Sequence, residues 1–113
     1  MKDFPEFMRD RKNAIDEASQ GRGIEGYVFD GIDSSQMIHW TCKVNGKSEE
    51  HVHDFDEYFV VVQGVYTLLI KGKRIRVSAG QEYYISKGTP HAGEFVTGTR
   101  TIHAFGGARA KRK

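Results

Sequence analysis

HVHDFDEYFVVVQG, His51 to Gly64, is the stretch on which the reading of this chain turns. It sets two histidines one residue apart, a glutamate four residues after the second, and an apolar run directly behind. Two of the chain's five histidines thus fall within three residues. On an extended strand, residues i and i+2 point to the same side, so the imidazoles of His51 and His53 share a face. DFD reads as a turn, and Glu57 opens the next strand with Phe59 and Val61 on its own face. A hairpin here would return the carboxylate beside the two imidazoles. Such a set, converging on an interior point, is the open facial arrangement that suits Fe(II), Mn, Ni or Zn. Without a metal, a buried carboxylate needs another cation or stays protonated.

Outward from this stretch the chain reads as short strands. YVFDG, QMIHWTCKV, EEHVH, EYFVVV, VYTLLI, RIRVSAG, QEYYIS, AGEFV and TRTIHAF are separated by turn residues every eight to twelve positions. That spacing predicts an all-β sandwich or barrel. Asn45-Gly46 carries a hairpin signal. In RIRVSAG, Ile75 and Val77 alternate with Arg74 and Arg76, which marks a strand with one buried face. DFPEFMRDRKNAIDEASQG predicts a short helix, with Pro5 suited to its first turn and Gly21 to its stop. Phe4, Phe7, Met8, Ile15 and Ala18 fall near one face of that helix, which would lie on the outside of the domain. GRGIEG, Gly21 to Gly26, matches the spacing of a dinucleotide-binding loop but in the wrong order. A helical segment precedes the glycines and a strand follows, so the stretch reads as a plain loop.

At 113 residues the chain makes one domain with a real core. The formal net charge of +2 misleads, because RAKRK at the C-terminus carries four positive charges and removing those four leaves −2. The basic character belongs to a solvated tail, so neither nucleic acid nor an anionic surface is expected as a partner. No signal-peptide apolar core is visible, and the apolar runs are far short of the ~20 residues of a membrane span. The single cysteine, Cys42, excludes an internal disulfide and reads as a small buried hydrophobe. It suits a reducing, cytoplasmic setting.

Downstream, GQEYYISKGTPH brings His91 to the start of a strand through the Gly88-Thr89-Pro90 turn. With this second element the chain resembles the cupins, small β-barrels of the double-sheet jelly-roll type. The first cupin motif runs glycine, five residues, His-X-His, three or four residues, glutamate, six residues, glycine. His51-Val52-His53, Glu57 and Gly64 fit it, and Gly46 stands one residue closer than the pattern asks. The second motif runs glycine, five residues, proline, one residue, glycine, two residues, histidine, three residues, asparagine. Gly80, Gly88 and His91 fit it, with Ser86 in place of the proline and Phe95 in place of the asparagine.

The resemblance implies a double-stranded β-helix, the jelly-roll cupin barrel, with a short N-terminal helix. Residues 1–25 would form the helix and loop, 26–106 the barrel, and 107–113 a basic disordered tail. It implies one divalent transition metal, of unspecified identity, on His51, His53, Glu57 and His91. The remaining histidines, His103 and His39, and Tyr84 are weaker candidates for acid–base residues in the pocket, since histidine titrates near neutrality. Asp54, Asp56, Gln36, Tyr83 and Tyr84 are candidates to orient the metal-bound imidazoles. His39 shares a face with Met37 and Thr41, Trp40 shares the other with Ile38, and either face could look inward. The function implied is a metal-dependent enzyme of oxygenase or isomerase type on a small organic substrate. The alternative is a non-catalytic barrel that binds or senses a small ligand. Outward apolar positions on EYFVVV and YTLLI predict a homodimer.

Overall fold

The computed structural model describes residues 1–16 and 23–113. Among the described residues nine strands follow one another: β1 (Ile24–Asp30), β2 (Gln36–Cys42), β3 (Gly46–Lys47), β4 (Glu57–Gln63), β5 (Val65–Ile70), β6 (Lys73–Ser78), β7 (Glu82–Ile85), β8 (His91–Phe95) and β9 (Arg100–Phe105). They make two antiparallel sheets, one of five strands in the order β1-β2-β9-β4-β7 and one of four in the order β3-β8-β5-β6. This is the antiparallel all-β sandwich that the strand spacing predicts, in the jelly-roll form that the resemblance implies. Inward positions alternate with outward ones along each strand, as the pleat requires. On β4, Glu57, Phe59 and Val61 are buried while Tyr58 and Val62 are exposed. On β6, Val77 is buried while Arg74 and Arg76 face solvent.

The core has two parts. Phe59, Val61, Leu68, Ile70, Val77 and Ile85 fill one end of the sandwich. Ile15, Val28, Ile38 and Phe105 fill the other.

Four local expectations resolve differently. The N-terminal helical segment takes the form of two 3-10 turns, Glu6–Met8 and Arg11–Asn13, the second opened by Asp10, whose carboxylate accepts the Lys12 N–H at 2.9 Å. Ala14 and Ile15 are already extended and bridge to Tyr27 and Arg112, so the helix does not continue through them. Phe4 and Ile15 are buried as expected, whereas Phe7 points into solvent. Residues 17–22, with Ala18 and Gly21, lie outside the described residues.

Asn45-Gly46 does not close a hairpin. β2 pairs with β1 and β9, and β3 pairs with β8, so the turn passes the chain from one sheet to the other. The EEHVH segment forms only a single bridge, His51 with His91, closed by two backbone hydrogen bonds of 2.9 and 3.0 Å.

The expected disordered tail is tied down by one buried side chain. Gln36 Oε1 accepts the backbone N–H groups of Arg109 at 2.6 Å and Ala110 at 3.0 Å, while Nε2 donates to Asp30 Oδ1 at 2.9 Å. Arg112 then reaches Asp30 Oδ2 at 2.6 Å and the Val28 carbonyl at 2.8 Å. The run of charge suggested a solvated end, but a buried amide with two backbone donors to satisfy holds it as a strap.

Gly64, the last residue of the HVHDFDEYFVVVQG stretch, marks the tight turn from β4 to β5. Its φ is +81°, and a Cβ there would stand 2.8 Å from Thr99 Cα. Thr99 cannot give way, because its hydroxyl donates to the Val65 carbonyl at 3.1 Å and accepts the Val65 N–H at 3.2 Å. Gly64→Ala should therefore cost roughly 2–4 kcal/mol, the sum of the left-handed backbone strain and the displaced hydrogen bonds. Gly72→Ala, at φ +73° with nothing within 4 Å of the added carbon, serves as the control and should cost about 1 kcal/mol. Urea unfolding of the two variants measures the difference, and equal costs would refute the steric account.

Candidate metal centre

Glu57 is the first inward residue of β4 and lies between β9 and β7, opposite Phe105 and Ile85. His51 and His53 come from the irregular segment before it, and His91 opens β8 in the other sheet. The site is therefore assembled across the sandwich. The hairpin that would fold the carboxylate back onto its neighbours does not form. The two sheets deliver the same convergence from opposite sides.

The ligand atoms of His51, His53 and His91 lie within 4.8 Å of one another. Glu57 Oε1 adjoins them, 3.5 Å from His53 Nε2 and 3.3 Å from His91 Nε2. Neither contact has hydrogen-bond geometry, and all three atoms are buried with no partner. A buried, unpaired polar atom costs about 1–3 kcal/mol, so three orphans aimed at one point are expensive unless something binds between them. Two atoms that each bind one ion at about 2.1 Å stand at most about 4.2 Å apart. The glutamate contacts already fall inside that reach, and the histidine trio needs to close by well under an ångström. Three imidazole nitrogens and one carboxylate oxygen are the donor set of Fe, Mn, Ni and Zn sites, so these residues fit a divalent transition ion.

The imidazoles are oriented for that role by backbone. His51 Nδ1 lies 2.9 Å from the Glu49 carbonyl and His91 Nδ1 2.9 Å from the Thr89 carbonyl. A ring whose Nδ1–H donates to a carbonyl turns its Nε2 lone pair to the centre. His53 is instead held flat against Phe55, with ring centroids 5.0 Å apart. The expected side-chain orienters act elsewhere: Asp56 accepts the Lys87 N–H, Asp54 pairs with Lys87, and Gln36 holds the strap. The i−2 carbonyl has no sequence signature, because every residue supplies one.

His103 is the exception among the weaker candidates. It is buried, with Nδ1 2.8 Å from Glu57 Oε2 and Nε2 3.0 Å from the Thr101 hydroxyl. The ring stacks on Phe59 at 4.9 Å and meets the edge of Trp40 at 4.6 Å. With Glu57 anionic, its Nδ1–H donates to the carboxylate, and its Nε2 shares a hydrogen bond with the Thr101 hydroxyl. Burial alone would raise the Glu57 pKa. The hydrogen bond from His103 and the facing imidazoles of His53 and His91 outweigh it and hold the carboxyl below the usual carboxylate range. Burial depresses the His51 pKa, whereas for His91 the Glu57 carboxylate and the Thr89 carbonyl overcome burial and raise it.

His39 and Tyr84 do not reach the pocket. His39 lies on the outer face of β2, bonded to the Met8 carbonyl at 2.7 Å and sandwiched by Phe4 and Tyr27. The strand alternation puts Ile38, Trp40 and Cys42 inward instead, and the N-terminal segment seals His39 from outside. Tyr84 is exposed and bonds Asp56 on the outer surface.

Trp40, Tyr66, Phe95 and Arg109 line the rest of the pocket, whose cavity volume is about 80 Å³. Tyr66 is half-buried against Gly93, where a Cβ would collide with its hydroxyl. Burial pushes the Cys42 thiol up to about 11. Arg109 was hidden in the charge run of the tail. The one cue to it is the Gly106-Gly107 break that separates it from β9.

The cupin domain family matches residues 38–105, which hold every residue of this cluster. Among solved structures, KdgF from Halomonas sp. superposes with a TM-score of 0.73 at 19% identity, covering 97% of this chain and 93% of that one. An RmlC-like cupin from Shewanella frigidimarina gives 0.72 at 17% identity, covering 93% of each. A salicylate 1,2-dioxygenase from Pseudaminobacter salicylatoxidans gives 0.69 at 10% identity, covering 76% of this chain and 27% of that one. No curated protein sequence matches significantly. At these identities the structural likeness is one of fold. The family match, spanning more than half the chain and coinciding with the jelly roll, shows that the chain belongs to the cupins.

Proposed function

We propose that the chain is a metal-dependent enzyme of oxygenase or isomerase type, acting on a small organic molecule in the barrel. His51, His53, His91 and Glu57 hold one divalent ion, Fe, Mn, Ni or Zn. The observation that carries this reading is the set of three orphaned buried atoms, His53 Nε2, Glu57 Oε1 and His91 Nε2, around a common point. Such an ion supplies Lewis acidity or a site for O₂ beside the substrate. The chain's own contribution is to hold Glu57 anionic through His103, to aim the imidazoles through the Glu49 and Thr89 carbonyls, and to exclude water with Trp40, Tyr66 and Phe105.

One observation favours the second reading, a barrel that binds or senses a ligand without turnover. Both nitrogens of His103 are engaged, and burial holds the Cys42 thiol and the Tyr66 phenol protonated. Proton transfer would then fall to the metal-bound groups. Cys42 is a free, buried thiol, which supports the cytoplasmic setting. No described helix is long and apolar enough to cross a membrane.

The outer face of the five-stranded sheet supports the homodimer. Met37, Ala104, Tyr58 and Tyr84 are cross-strand neighbours in one uncharged row over four strands, and all but Ala104 are markedly exposed. A second copy, meeting this row about a two-fold axis, would cover it with its own.

Protein purified without chelator should carry near-stoichiometric Fe, Mn, Ni or Zn by elemental analysis, and the His51→Ala/His53→Ala double variant should carry none. Failure to bind any of the four on direct titration would overturn the site. With the metal identified, loss of turnover in a folded Glu57→Gln variant supports the enzyme, while saturable ligand binding with no substrate consumed supports the sensor. His103→Phe should weaken metal affinity about 10–100-fold in chelator competition, and His103→Gln, which keeps a donor, should restore most of it. Light scattering at micromolar concentration should give a dimer that Tyr58→Lys/Tyr84→Lys dissociates. A monomer in the unmodified protein would refute the interface.

A further inference from the structure

β8 turns His91 and Phe95 into the cavity, and Gly93 lies between them on the same face. Two hydroxyls are set on this glycine from the strands either side. Ser48, just beyond β3, takes both backbone groups of Gly93: its N–H donates to the Gly93 carbonyl at 2.8 Å, and its Oγ accepts the Gly93 N–H at 2.9 Å. From β5, Tyr66 lays its phenol oxygen on the space that any Cβ at Gly93 would fill. The Tyr66 ring packs edge-on against Phe59 and His103, with centroids 5.1 and 6.1 Å away. A phenylalanine would pack equally well there, so packing does not account for the oxygen. Each hydroxyl has one proton to give. Among the described residues neither the Tyr66 O–H nor the Ser48 Oγ–H has an acceptor, and both side chains line the cavity that holds the histidine cluster. Desolvation, with the Glu57 carboxylate adding to it, pushes the Tyr66 phenol well above its usual range, so it remains a donor at every working pH.

We propose that Ser48 and Tyr66 form a two-donor subsite over Gly93, and that the ligand it takes is a short carbonyl compound. This deepens the reading of the barrel as a small-molecule site and rests on it for where the ligand sits. A carbonyl oxygen has two lone pairs and no proton, so it accepts from both hydroxyls and leaves no donor stranded. An alcohol oxygen adds a proton of its own to a corner already supplied with two. The cavity of about 80 Å³ is roughly half the ~150 Å³ that admits a benzene ring, which limits the ligand to about two to four carbons and excludes aromatic and sugar rings. The imidazole cluster shares this small space, so a carbonyl held here lies beside the metal ligands. Hydroxyl donors fixed in advance also favour negative charge that develops on such an oxygen.

Trp40 is the only tryptophan in the chain and lines the same cavity, so its indole N–H gives a single NMR resonance that reports binding. Zinc-loaded and chelator-treated protein is titrated with acetone, pyruvate and hydroxyacetone, with the reduced counterparts isopropanol, lactate and propylene glycol, and with acetophenone as the oversized ketone. At least one short carbonyl should shift the resonance saturably, and its alcohol should bind about three- to tenfold more weakly. Tyr66→Phe should lose about three- to tenfold for the carbonyl and leave the alcohol nearly unchanged. It keeps the ring, so its melting transition and zinc content should match those of the unmodified protein. Ser48→Ala should show a similar loss, and Ser48→Thr, which keeps the hydroxyl and the acceptor of the Gly93 N–H, should restore most of the affinity. In difference infrared spectra the C=O stretch of the bound carbonyl should lie below its value in an apolar solvent and move back toward it in Tyr66→Phe. Equal binding of ketone and alcohol, acetophenone binding as tight as acetone, undiminished affinity and an unmoved C=O stretch in Tyr66→Phe, or no carbonyl binding would each overturn the proposal. Tyr66-dependent carbonyl binding by a protein that takes up no metal would sustain it while defeating the metal reading. A zinc-loaded protein indifferent to Tyr66→Phe would do the reverse.

Discussion

A carboxylate taken out of water sets the terms for the rest of this barrel. Glu57 lies at the join of β4, β7 and β9 with one oxygen bonded to His103 and the other facing His53 and His91. Taking such a charge out of water costs several kcal/mol, and the interior accepts it only where hydrogen bonds and cations return that cost. His103 satisfies one oxygen outright. The other is left facing imidazole lone pairs, and that local frustration gives the barrel its binding character.

Around this constraint the two core clusters are ordinary. Phe59, Leu68 and Val77 at one end and Val28, Ile38 and Phe105 at the other bury smoothly and would hold the sheets together without any polar residue. The polar layer is confined between them. That separation lets the site depart from good satisfaction while the apolar clusters hold the sheets by burial.

Much of this arrangement was legible in the sequence because the relevant signals are periodic. Alternation along EYFVVV and RIRVS gave the strands and their inward faces, and the two spaced histidine motifs brought His51, His53, Glu57 and His91 into one cluster. What escaped was set by partners distant in the chain. Asn45-Gly46 looks like a hairpin in isolation, yet β9 competes for the edge of β2 and takes it. His39 and Trp40 are adjacent residues on opposite faces, and only the N-terminal segment over His39 decides which is outside. Arg109 sits in a charge run that composition assigns to solvent, and its burial depends on Gln36, seventy-three residues earlier.

The crossing of the chain between sheets at Asn45-Gly46 has a consequence for the order of events in folding. Residue 51 pairs with residue 91 only when the chain from the two ends of the domain meets, and residue 91 meets residue 57 only when the four-stranded sheet docks on the other. These are pairings of high contact order, formed after loop closure has been completed. The centre is therefore absent from early, locally structured states and cannot act as a nucleus. An occupant arriving there meets a finished barrel. Its effect belongs to the rate at which the two sheets come apart, making the ion a brake on unfolding and leaving the speed of assembly to the turns and the apolar ends.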